Sequence, residues 1–216
     1  AMFTIGVHKS LVLLLSARHA VVLQAVLVTL LNMSSCPTFS SELLQLNAAD
    51  PLLRLVHDSC SLSPPFPSYR TLSGQLLDLL LQDAACRVEV ASLGGNSTLL
   101  RILPQLGRRD PLLPCICRAL NSMAIDLESA RQIRFLGGIP LLLTSIAISQ
   151  DSRGSVLPPP NVVVAILDTL TQLSLDDHSS HVVRKLEGVY TTGQLLLSQH
   201  SNSNSNDNNN DNDNDN

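Results

Sequence analysis

The apolar positions of this chain fall into Leu-rich runs that return at a nearly constant interval. Each run follows about five residues after a small residue that suits a tight turn. Gly6 leads to LVLLL (11–15), and Asn47, followed by Ala48 and Ala49, leads to LLRLV (52–56). Gly94 leads to LLRIL (99–103), Gly137 to LLLTSI (141–146) and Gly188 to QLLL (194–197). These starting points, 6, 47, 94, 137 and 188, stand 41, 47, 43 and 51 residues apart. The longest interval holds a polar, proline-bearing insertion, SQDSRGSVLPPP (149–160).

Two further helical stretches complete each cycle. A longer apolar one follows the Leu-rich run: VVLQAVLVTLLNMS (21–34), RTLSGQLLDLLLQD (70–83), LPCICRALNSMAID (113–126) and VVVAILDTLTQLSL (162–175). A short amphipathic one then leads back to the next small residue: FSSELLQL (39–46), AACRVEVASL (84–93), SARQIRFL (129–136) and SSHVVRKLE (179–187). Apolar residues at i, i+3, i+4 and i+7 give each helix a stripe to bury. No single cycle can cover its own stripes, so neighbours must stack into one continuous core. The clusters SLSPPFPS (61–68) and VLPPP (156–160) break helices, and Asp110-Pro111 and Asn161 are candidate starts for long ones. The pattern predicts an all-α, solenoid-like repeat domain over residues 1–200. Ser201 to Asn216 holds only Ser, Asn and Asp and is expected to be a disordered tail.

Composition supports helix-on-helix packing. Apolar residues make up 44% of the chain but aromatics only 3%, with no Trp, so the core must be Leu, Val, Ile and Ala. The formal charge of −4 comes from the tail, because Asp207, Asp211, Asp213 and Asp215 all lie there. The remaining body is neutral, and Lys9 and Lys185 are its two lysines. Such a body lacks the clustered positive charge that nucleic acid requires. The run AVVLQAVLVTLL (20–31) is far shorter than the roughly twenty apolar residues that span a bilayer, which argues against a membrane protein. Five scattered cysteines, Cys36, Cys60, Cys86, Cys115 and Cys117, suit reduced thiols in a cytoplasmic or nuclear protein better than a disulfide framework.

The period, the glycine joins and the long third stretches resemble the armadillo repeat family. The segment ALNSMAIDLESARQIRFLGGIPLLLTSI (119–146) looks like the join between two repeats, VLVTLLNMS (26–34) like the end of a third helix, and KLEGVYTTGQLLL (185–197) like another first-to-second helix join. The resemblance implies an α-solenoid of about four repeats, wound as a right-handed superhelix, whose third helices line a concave groove that grips an extended peptide or a partner domain. In the family's best-known peptide binders that groove carries rows of Trp and Asn. Carried over, the Asn row reads Asn32, Asp78, Ser122 and Gln172, and the Trp row reads Val28, Gly74, Arg118 and Asp168. Only Asn32 matches, so nuclear-import cargo recognition is not expected.

No constellation supports catalysis or a cofactor. His178 and His181 share an i, i+3 spacing beside Asp177, but no further Cys or His close by completes a metal shell. Gly94-Gly95 and Gly137-Gly138 lack the lysine and third glycine of phosphate loops. No Gly-x-Ser-x-Gly elbow is present. Asn32 and Asn96 match the glycosylation pattern without an export signal beside it. The expected function is therefore a protein-binding scaffold, not an enzyme, with no metal or cofactor. The alternative is the regulatory or targeting arm of a larger enzyme such as a protein kinase or ubiquitin ligase. The chain starts in mid-cycle at Gly6 and stops after a second helix. This leads to the expectation of a piece of a longer protein whose uncapped ends could self-associate.

Overall fold

Regular structure among the described residues consists of eleven α-helices and one short 3-10 turn, with no strand. The structure, a computed structural model, describes residues 6–36, 38–59, 68–107, 110–146 and 158–175. The expected turn at Gly188, most of the insertion, the His178/His181 pair and the Ser/Asn/Asp tail lie outside the described residues.

The helices come in a repeating order. A short helix opens each unit: α3 (Phe39–Gln45), α6 (Ala84–Ser92) and α9 (Leu127–Phe135). A second helix follows: α4 (Ala49–Ser59), α7 (Gly95–Ile102) and α10 (Gly138–Ile146), with α1 (Val7–Leu14) standing in the same place ahead of the first described unit. The third helix of each unit is α5 (Ser68–Leu80), α8 (Leu113–Ala124) and α11 (Pro160–Leu173), and α2 (Ala20–Met33) is its counterpart after α1. These third helices stack in order, α2 against α5, α5 against α8 and α8 against α11. The short helices pair beside them, α3 with α6.

Local chemistry sets the breaks. Among the described residues four have positive φ: Gly6 (67°), Asn47 (53°), Gly94 (76°) and Gly137 (78°). Asn replaces Gly at one of them because its short side chain tolerates the left-handed region. The second residue of the Gly94-Gly95 pair answers a different demand. A Cβ on Gly95 would stand 2.7 Å from the Val90 carbonyl oxygen, so the start of α7 can meet the end of α6 only without one. Asp83 accepts hydrogen bonds from the N–H groups of Ala85 (2.8 Å) and Cys86 (3.3 Å), and so caps α6. Asp126 caps α9 through Ser129 (2.9 Å). Each satisfies donors that a helix start otherwise leaves bare.

The core is one continuous layer of aliphatic side chains from α1 to α11. Leu27, Leu30, Leu77, Ile116, Leu120 and Ile166 are fully buried along the stacked long helices. Each contributes about 1.5–3 kcal/mol. Gly74 lets α5 and α8 approach closely, because a Cβ there would overlap the Leu112 side chain and stand 3.0 Å from the Cys115 Cβ.

Two polar contacts tie distant parts of this core together. Arg70, near the start of α5, is 1% exposed and lies 2.8 Å from the Asp110 carboxylate, itself buried. The other Asp110 oxygen accepts from the Leu112 N–H (2.9 Å) in the turn ahead of α8. Thus Asp110 joins two long helices, where the sequence had suggested only a helix start. At the other end, buried His8 on α1 holds Glu42 on α3 (2.7 Å) and meets the Phe39 ring edge-on. The second Glu42 oxygen accepts from the Thr38 hydroxyl (2.8 Å).

Removing one partner of a buried ion pair strands the other charge, which typically costs about 3–5 kcal/mol. Asp110→Ala is therefore expected to lower the unfolding free energy by about that much in urea titrations. Replacing both partners with apolar residues, Arg70→Met with Asp110→Leu, should restore most of it. A single substitution without effect would show that the pair holds nothing together.

Candidate functional site

The stacked long helices carry side chains that the core does not use. Their registers are set by the two capping aspartates, since Asp83 and Asp126 each follow a long helix. Counted back from these caps, the buried positions of α5 coincide with those of α8: Arg70 with Leu113, Ser73 with Ile116, Gly74 with Cys117, and Leu77 with Leu120. The same burial pattern aligns α2 and α11. Val28, Gln75, Arg118 and Asp168 then occupy one row, and Asn32, Leu79, Ser122 and Gln172 a second. Between them run Leu31, Asp78, Asn121 and Thr171.

This register corrects the sequence reading on α5 by one residue. Gly74 is buried and serves the α5–α8 approach, so Gln75 takes the row with Arg118. Asp78 is equivalent to Asn121, and Leu79 to Ser122. The run LLDLLL is apolar on every side of Asp78, so its periodicity could not choose between the two registers. Of the other candidate residues, Val28, Asn32 and Asp168 are exposed, Gln172 is half-buried, and Ser122 is buried. Ser122 accepts a hydrogen bond from Gln82 Nε2 (3.2 Å), which the sequence did not suggest.

Two candidates do meet. Arg118 Nε donates to Asp78 Oδ2 at 2.6 Å, across the α5–α8 seam. Its Nη2 also reaches the Cys115 sulfur at 3.7 Å. Burial raises the Asp78 carboxyl above its ordinary value, and the hydrogen bond and charge of Arg118 offset only part of that rise. Asp78 in turn holds Arg118 protonated. Two side-chain acceptor atoms, Asp78 Oδ1 on α5 and Asn121 Oδ1 on α8, are buried without a hydrogen-bond partner in the chain.

The remaining chemistry is quiet. Burial pushes the Cys86 thiol up to about 11 and the Cys117 thiol up to about 12, and it raises Cys115 as well, so these thiols stay protonated and unreactive at neutral pH. Asn96, within a glycosylation pattern, is buried and donates to Gln132 Oε1 (2.9 Å), which leaves no access for a glycan. Among the described residues no group of three or more His, Cys, Asp and Glu could hold a metal ion. No helix among them is long and apolar enough to cross a membrane.

No protein-family model matches the chain. Over 63 residues it is 40% identical to armadillo repeat-containing protein 5 of Mus musculus. That stretch is 29% of this chain and 7% of the mouse protein. Among solved structures, an engineered protein superposes with a TM-score of 0.70 at 18% identity, over 90% of this chain and 73% of the other. A chain from the work on a phosphorylation switch controlling the interaction between cadherin and beta-catenin superposes with a TM-score of 0.64 at 21% identity. This match covers 86% of the present chain and 33% of that one. At such identities the structural likeness is one of fold.

Stacked three-helix units over a shared core make this protein an α-solenoid. Its helix order and left-handed joins are similar to those of armadillo repeats, and the 63 residues matched in the mouse protein agree with that likeness.

The raised Asp78 carboxyl carries a sign that can be checked. A carboxyl whose folded value lies above its unfolded one favours the folded state at low pH, and that contribution is lost as pH rises through the folded value. The Asp78→Asn variant should therefore be at least as stable as the parent at neutral pH. The stability difference between the two should shrink as pH falls toward 3.8, the ordinary value for this group. Urea unfolding at several pH values measures this. A variant weaker at neutral pH would mean that the attraction to Arg118 outweighs the burial.

Proposed function

We propose that this chain is a non-enzymatic scaffold that holds an extended segment of another protein along its long-helix face. The observation that carries the reading is the in-register presentation of non-core side chains by four successive stacked helices. Val28, Gln75 and Asp168 are exposed at equivalent positions of α2, α5 and α11, with half-buried Arg118 between them on α8, so neighbouring helices share one row outside the core. A row of this kind suits an extended chain crossing the helices one after another.

The solved relative from the cadherin and beta-catenin study supports protein binding as the use of such a fold. It does not identify the partner here, and the short match to the mouse protein does not either. Nucleic acid fits the face poorly, because α2, α5, α8 and α11 carry only Arg118 as an accessible positive charge among their described residues. The partner class proposed is therefore protein.

A competing surface exists on the short helices. Phe135 is 92% exposed at the end of α9. It borders a shallow pocket of about 370 Å³, lined also by Gly94, Glu128, Arg131 and Leu136. The two surfaces can be told apart by substitution. Peptides selected from a displayed library against the full chain should lose at least roughly tenfold in affinity when Gln75 and Val164 are both changed to Arg, with the melting temperature unchanged. They should be indifferent to Phe135→Arg. The reverse outcome would move the binding site to α9.

A further inference from the structure

The helix α9 differs from the other short helices on the side turned away from the core. Counted back from the left-handed joins at Asn47, Gly94 and Gly137, Phe135 is equivalent to Gln45 on α3 and Ser92 on α6. Arg131 is equivalent to Ser41 and Val88, and Glu128 to Thr38 and Ala85. A position that is polar in two units is thus a phenyl ring in the third, with a pair of opposite charges beside it. Phe135 is 92% exposed, Leu127 is 62% exposed, and Ile125, in the turn ahead of the helix, is 58% exposed. A phenyl ring so placed gains nothing from stacking within the solenoid, whereas burying one against a partner removes about 150–250 Å² from water.

The charges on this flank suit a copy of itself. Glu128 Oε2 and Arg131 Nη1 stand 3.7 Å apart, with both side chains more than half exposed. So loose a contact in water is worth little within one chain and leaves both groups free to pair elsewhere. When two α9 helices lie antiparallel about a two-fold axis, Glu128 of each can face Arg131 of the other, and both pairs form at once. That same alignment lays Leu127 over Gln132 of the second copy, beside the pocket of about 370 Å³ that Gly94 and Ser97 also line. It also sets Phe135 level with Ile125 of the second copy, so that the exposed apolar groups cover one another.

We infer that α9 is a self-association surface, on which a second copy of this chain docks antiparallel to form a closed dimer. A two-fold contact uses the same patch on both copies and stops at two. One nine-residue helix from each copy falls short of the roughly 800 Å² per partner of a standard interface, so the dimer dissociates on dilution. Because the contact uses a short helix, it stands apart from the long-helix reading, and either can fail without the other.

Sedimentation equilibrium of the full chain over a range of concentrations tests this. A monomer–dimer equilibrium is expected, and Phe135→Arg should raise its dissociation constant at least about tenfold with the melting temperature unchanged. Glu128→Arg and Arg131→Glu should each weaken the dimer by about as much, because each sets like charges opposite one another. An equimolar mixture of those two variants should dimerise again, since every facing pair of charges is then opposite in sign. Such recovery also shows that neither variant had lost its fold. A chain that stays monomeric at every concentration would overturn the inference. So would a dimer indifferent to these substitutions, a mixture that does not recover, or assemblies that keep growing past two copies.

Discussion

Everything in this protein depends on the inability of a long apolar helix to cover its own flanks. Among the described helices, α5 and α8 each bury one side against the long helix before and the other against the long helix after. The repeats therefore share a core and cannot be considered one at a time. Close approach sets how well that works. Gly74 brings α5 against Leu112 and Cys115, and Gly95 brings α7 against the Val90 carbonyl. Where the backbone must turn sharply between the short helix and the next, a left-handed residue stands at the join.

That same stacking sorts the charges. A seam between close-packed long helices is a poor place for an ion, so charged residues go to α4, α7 and α9, where water solvates them. The exceptions are paired. Arg70 and Asp110 lock α5 to the approach of α8, and Arg118 bridges to Asp78 across the same two helices. What the long helices are left to show is a surface of amides, hydroxyls and isolated aliphatic groups. Such a surface can discriminate by shape and hydrogen bonding more than by electrostatic attraction.

Helix type, order and length were legible in the sequence because the apolar period is strong and repeated. The long stretches read from 21–34, 113–126 and 162–175 overlap α2, α8 and α11 closely, since apolar spacing and proline breaks both mark them. The α5 register was not legible, because leucines surround Asp78 on every side and a one-residue shift leaves the pattern unchanged. The tertiary ion pairs were hidden for another reason. Arg70 and Asp110 are 40 residues apart, as are Asp78 and Arg118, and His8 lies 34 residues from Glu42. No local spacing rule links residues so far apart. The α5 members of the long-helix rows, Gln75 and Leu79, emerge only when the caps at Asp83 and Asp126 align the helices.

The central claim is that the long-helix face, and not the outer helices, receives the partner. Site-specific photocrosslinking tests it most directly. A benzophenone amino acid would replace Gln75 in one preparation of the full chain and Phe135 in another, each irradiated with a bound peptide selected from the displayed library. The account predicts a covalent adduct from position 75 and none from position 135. Adduct formation from position 135 alone would contradict it.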